Sequence, residues 1–127
     1  MAKSTKTSIS LSAHSIRALE RNQFAPDRSA RINEVIARYD ILITREREAV
    51  AHLAEHEFLG FVVGEWLEAY PIQMGLLNIV QTVYEDRKFD GFDVPDDADF
   101  EALMSELTKL NFAQEVALVE MIEAALA

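Results

Sequence analysis

The chain has 127 residues, half of them apolar, enough to build a core and to exclude disorder over most of its length. It has no cysteine, which removes disulfides and thiolate metal sites. Its net charge of −10 argues against a uniform nucleic-acid surface, because phosphate binding is driven by Lys and Arg displacing counterions.

That average hides a division. Residues 1–44 carry seven basic and four acidic side chains, net +3, whereas residues 45–127 carry five and eighteen, net −13. The asymmetry predicts two domains with different work, a basic head over 1–44 for an anionic partner and an acidic body over 45–127 for interaction. The first twelve residues contain lysines but no apolar run, and the longest apolar run, 58–64, is closed by Glu57 and Glu65. Neither export nor a membrane span is expected, and a cytoplasmic location is the default expectation.

Residues 5–12 alternate in strand fashion, with Thr7, Ile9 and Leu11 on one face and Lys6, Ser8, Ser10 and Ser12 on the other. Ser12 stands as an N-cap before a short helix over 13–22 that turns Ile16 and Leu19 inward. Asn22 to Pro26 break that helix. Asp27 caps the next, whose apolar residues Ile32, Val35, Ile36 and Tyr39 fit one buried face. Two readings of the following stretch stay open. Either Thr44 caps a separate helix over 45–57 with Ala49, Val50 and Leu53 inward, or the preceding helix runs on through Ile41 to Ile43.

A very apolar helix is expected over 58–70, then one over 71–84 with Pro71 at its first position. The acidic segment 86–97, with Gly91 and Pro95, reads as a loop. Helices over 98–110 and from Asn111 close the chain, the last with Gln114 in capping-box spacing.

A lone strand among helices leaves its backbone donors and acceptors without partners. The same segment of a second chain, antiparallel about a two-fold axis, would complete a two-stranded ribbon that fits the major groove of DNA. The run KTSISLSAHSIRALERNQFAPDRSARINEVIARY resembles the ribbon-helix-helix superfamily of transcriptional repressors, antitoxins and plasmid copy-control proteins, over roughly the first third of the chain. Asn22-Gln23 stand where that family usually has glycine.

The resemblance implies base-reading residues Lys6, Ser8 and Ser10 and phosphate contacts from Lys3, Arg28, Ser29 and Arg31, the latter three at a helix N-terminus where an anion is favoured. It implies a dimer core of Ile9, Leu11, Ile16, Leu19, Ile32, Val35 and Ile36, which Tyr39 extends. Two serines discriminate bases less than bidentate side chains do, so part of the specificity is expected from cooperative binding or DNA shape. The expected fold is mainly α: an amino-terminal ribbon-helix-helix module, with one β-strand pairing between subunits and two helices, followed by an all-α carboxy-terminal domain.

Other motifs carry less. His52-Leu53-Ala54-Glu55-His56 spells an inverted zinc-protease pattern, but a catalytic zinc needs a third ligand in a preorganised cleft. Solvated helix surface is the favoured reading, with a metal-responsive repressor behind it. Asp90, Asp93, Asp96, Asp97 and Asp99 lack the alternating ligand spacing of a calcium loop. Phe58, Phe61, Val62, Trp66 and Tyr70 form an aromatic stripe expected in the core or a subunit contact. No catalytic constellation is placed, so neither enzyme activity nor a cofactor is expected.

The expected function is a homodimeric or higher even-numbered DNA-binding repressor and autoregulator, of a plasmid, phage or other mobile element, with double-stranded DNA as partner and a protein partner for the acidic domain. The alternatives are an antitoxin, a plasmid partition or conjugation accessory protein, and a protein in which the amino-terminal segment only dimerises.

Overall fold

A computed structural model describes residues 11–21, 27–66 and 72–127. Helices dominate: α1 (Ala13–Glu20), α2 (Arg28–Ala54), α3 (Glu57–Trp66), a 3-10 turn (Ile72–Met74), α4 (Leu76–Phe89), α5 (Asp97–Thr108) and α6 (Phe112–Leu126). The chain divides into two compact units, 1–40 and 41–127.

The expected fold class is corrected here: the described residues are all-α and contain no strand or sheet. Of the segment read as a strand, residues 5–10 lie outside the described set, while Leu11 and Ser12 belong to no ladder. Ser12 does have extended backbone, at φ −68° and ψ 160°, but for another reason. It is the N-cap of α1, and its hydroxyl accepts from the Ser15 N–H at 3.1 Å. Alternation marks a chain that can be extended; a strand also needs a ladder partner, and none is present among the described residues.

In unit 1, Asp27 caps α2 as expected, its carboxylate accepting from the Ala30 N–H at 2.8 Å. No break occurs at Thr44. The sequence 28–54 contains neither glycine nor proline, so the helix continues to Ala54. Val50 and Leu53 point inward, whereas Ala49 is exposed, against the expectation.

Unit 2 owes its core to apolar positions on every helix: Ile43 and Val50 of α2, Leu59 and Val62 of α3, Ile79 and Val83 of α4, Leu103 and Leu107 of α5, Leu118 and Ile122 of α6. The α3 helix packs on α6 and α4, and α4 packs on α5. Where a helix was expected over 71–84, the chain makes the 3-10 turn, and α4 starts only after Gly75, whose φ of 86° no L side chain tolerates well. Pro71 itself lies outside the described residues.

The α4 helix then runs to Phe89, five residues past Tyr84, so the first part of the segment read as loop is helical. Its end is a Schellman motif: Gly91, at φ 80°, donates to the Lys88 carbonyl at 3.2 Å, and Phe92 donates to the Arg87 carbonyl at 2.9 Å. Asp96 caps α5, and α6 begins with the expected capping box between Asn111 and Gln114, at 2.8 and 3.0 Å. Among the described residues no helix is long and apolar enough to cross a membrane.

Candidate functional site

Unit 1 contains all the residues expected to meet DNA. Lys3, Lys6, Ser8, Ser10 and Ile9 lie outside the described set. Arg28 and Ser29 are exposed in the first turn of α2, and Arg31 is half-buried one turn on. Among the described residues of the expected dimer core, Leu19 alone is buried in the single chain; Leu11, Ile16 and Ile32 are half-buried. Val35, Ile36 and Tyr39, on one face of α2, are 39%, 58% and 42% exposed. Arg38 on the same helix holds Glu34 at 3.0 Å, an exposed pair of small energetic weight.

Unit 2 contains a cavity of about 760 Å³, within the range of small-molecule sites. Leu53, Phe58, Val94 and Leu103 supply apolar lining, and Glu57, Asp93, Asp99 and Glu106 supply carboxylates. Arg87 is its cation. The Schellman turn brings Phe92 back over Arg87, so the guanidinium lies 4.2 Å from the Phe61 ring centre and 4.8 Å from that of Phe92. Two nitrogens at this cavity, Arg87 Nε and His56 Nδ1, are buried without a hydrogen-bond partner.

Neighbouring groups are satisfied. Glu106 lies 3.5 Å from His52 Nε2 and 3.4 Å from Lys109 Nζ, and it titrates below the ordinary carboxylate range, chiefly through the His52 hydrogen bond and then through Lys109. Asp97 accepts from Lys88 Nζ and from Tyr84 Oη, both at 2.9 Å. The Lys88 bond, followed by the Tyr84 bond, holds the Asp97 carboxyl below its usual range; burial, followed by Asp97, pushes the Tyr84 phenol up. The Tyr84 ring stacks on Phe100 at 3.6 Å, which fixes the start of α5 against α4.

His52 and His56 do not share a helical face, since α2 ends at Ala54 and His56 precedes α3, its carbonyl accepting from the Gly60 N–H at 3.0 Å. Among the described residues no group of three or more His, Asp or Glu side chains is placed to hold a metal ion. The acidic segment does local work instead: Asp96 caps α5 and Asp97 pairs with Lys88. Phe58 and Val62 are buried and Phe61 is half-buried; Tyr70 and the Trp66 side chain lie outside the described set.

Sequence reasoning missed Arg87 because it sat in a segment read as loop. The available signal was Gly91 following the apolar positions 76, 79, 80, 83 and 84, a helix that ends in a glycine C-cap. No family model, curated protein or solved structure matches the chain.

Proposed function

We propose that the protein is a homodimer that binds double-stranded DNA through its basic amino-terminal unit and represses transcription, with the acidic unit serving interaction. What supports this is that unit 1 places exposed apolar side chains, Val35 at 39% and Ile36 at 58%, on the same helix as Arg28, Arg31 and Arg38. A unit of forty residues with no cysteine and one buried side chain among its described residues is too small to be stable by burial alone. A second copy is the cheapest source of the missing apolar contact, and pairing doubles the local positive charge.

Residues 1–40 carry seven basic and four acidic side chains, the reverse of the rest of the chain, and that balance favours phosphate. The likeness of residues 6–39 to a family of DNA-binding repressors is a sequence argument for the same reading. Lys3, Arg28, Ser29 and Arg31 are assigned to phosphate, and Lys6, Ser8 and Ser10 to base edges. The acidic unit, repelled by DNA, is kept available for a protein partner.

Sedimentation of the full chain, with anisotropy titrations of DNA fragments selected from the source genome, tests this. A dimer is expected, with affinity that falls as salt rises by about 0.9 log units per log unit of salt for each phosphate contacted. Ile36→Asp is the decisive variant. In a monomer the change lies on a largely solvated helix face and costs little, whereas in the dimer it buries a charge and abolishes both assembly and DNA binding. A monomeric wild-type chain that binds no DNA at low salt overturns the reading.

A further inference from the structure

We infer that the cavity of unit 2 binds a small apolar zwitterion with an amino-acid backbone, either a free amino acid with a bulky apolar side chain or a short apolar peptide. This site lies wholly within residues 53–106 and goes beyond the DNA-binding reading, which it does not require.

Three features each call for one part of such a ligand. The first is the apolar lining, where Leu53, Phe58 and Leu103 reach in from the core and half-buried Val94 continues the surface. It suits a hydrocarbon or aromatic side chain. The second is Arg87. The chain has 22 acidic residues, yet among the described residues no carboxylate oxygen lies within 4.0 Å of this guanidinium, and its Nε–H is buried without an acceptor.

Phe61 and Phe92 both pack against the guanidinium, at 4.2 and 4.8 Å, and contacts with ring faces use none of its N–H donors. A guanidinium edge matches a carboxylate, with two parallel N–H donors for two oxygens. A small shift of the side chain would bring Nε–H into that fork and relieve the cost of its orphaned state. His56, which also lines the cavity, has the other unpartnered nitrogen, Nδ1.

The third feature is the surplus of carboxylates. Glu106 is engaged by His52 and Lys109, which leaves Glu57, Asp93 and Asp99 as exposed anions around the cavity. A simple fatty or aromatic acid meets these three charges as repulsion, and a simple amine meets Arg87 as repulsion. A molecule with both an ammonium and a carboxylate on an apolar body answers both. The volume of about 760 Å³ leaves room for a free amino acid and for a peptide of a few residues.

The test is calorimetry and amide-shift mapping of the full chain with four probes: L-phenylalanine, L-phenylalanyl-L-phenylalanine, phenethylamine and 3-phenylpropionate. At least one zwitterion is expected to bind saturably with shifts centred on Arg87, Val94 and Leu103, and the amine and the acid to bind about tenfold or more weakly, the loss of one charge-assisted contact each. Tighter binding of the dipeptide marks a peptide site, tighter binding of phenylalanine an amino-acid site, and either supports the proposal.

Arg87→Met is expected to erase the preference for phenylalanine over phenethylamine. Because that change removes packing between two rings, Asp93→Asn with Asp99→Asn provides a second test on exposed side chains, expected to erase the preference over 3-phenylpropionate. Glu123→Gln, on α6 away from the cavity, removes a charge as a control and is expected to change nothing. Equal binding of all four probes, no saturable binding of either zwitterion at millimolar concentration, or shifts confined to other helices overturns the proposal.

Discussion

The Glu115 carboxylate, near the start of α6, accepts a hydrogen bond at 3.0 Å from the backbone N–H of Leu76, the first residue of α4. The α4 helix begins after a glycine and has no side-chain cap of its own, so another helix supplies the acceptor and places a negative charge at the positive end of the dipole. Leu76 is fully buried, which denies its N–H any substitute from water.

Glu115→Ala is therefore expected to lower stability by about 1–2 kcal/mol, the range for losing a cap and stranding a buried donor. Glu115→Gln, which keeps an acceptor oxygen but not the charge, should lose less than half of that. Urea denaturation followed by far-UV circular dichroism measures both, with an unchanged slope expected and a lowered midpoint.

Gly91 has a second testable role. A Cβ added there meets no atom within 4 Å, so the whole cost of substitution is its φ of 80°. Gly91→Val is expected to cost roughly 1–2 kcal/mol or more, and Gly91→Asn less, since asparagine tolerates the left-handed region. Because the same turn returns Phe92 over Arg87 at 4.8 Å, the valine variant should also perturb the Arg87 side-chain resonances, and the asparagine variant should leave them in place.

Acid stability should depend on Asp97. Its folded pKa lies below the usual 3.8 because Lys88 and Tyr84 both hydrogen-bond to its charged form. Its contribution is thus complete above the unfolded pKa and is lost as pH falls through the lower folded value. Asp97→Asn should flatten the dependence of the denaturation midpoint on pH below about 4 and reduce stability at neutral pH. Lys88 is raised, first by its bond to Asp97, so its share is present below its unfolded 10.5 and lost as pH rises through the higher folded value. Both side chains are largely exposed, so added salt should weaken the effect.

Caps and periodic apolar faces were legible in the sequence because they are local. Ser12, Asp27, Asn111 and Gln114 act within three residues of themselves, and Val50, Leu53, Phe58 and Val62 follow helical spacing into the core. The run through Thr44, the start of α4 and the extent of α4 to Phe89 were harder. At Thr44 the choice between a cap and a continuing helix stayed open, and the absence of glycine and proline in 28–54 lets the helix run on; the start of α4 instead depends on a contact distant in sequence, Glu115 with Leu76, and its end on Gly91. Of the alternating segment 5–12, the described residues Leu11 and Ser12 belong to no ladder, and alternation alone supplies no strand partner. Half of the setting of Arg87 was local, the Gly91 turn that returns Phe92 to it, but the contact with Phe61 on α3 follows from no local pattern.

The two units should also separate in their response to concentration. Among the described residues, unit 2 buries eighteen apolar side chains in one cluster, whereas Leu19 is the one buried side chain of unit 1. Burial at roughly 1.5–3 kcal/mol per large side chain sustains the first and not the second. Under the proposed homodimer, amide hydrogen exchange of α1 and of the first half of α2 should slow as protein concentration rises, because their order is linked to association, while α4 and α6 exchange at a rate independent of concentration. Ile36→Asp should make the first set fast at all concentrations and leave the second untouched. Equal protection of α1 and α4 at every concentration would mean that unit 1 is stable without a second copy and needs no dimer contact through α2.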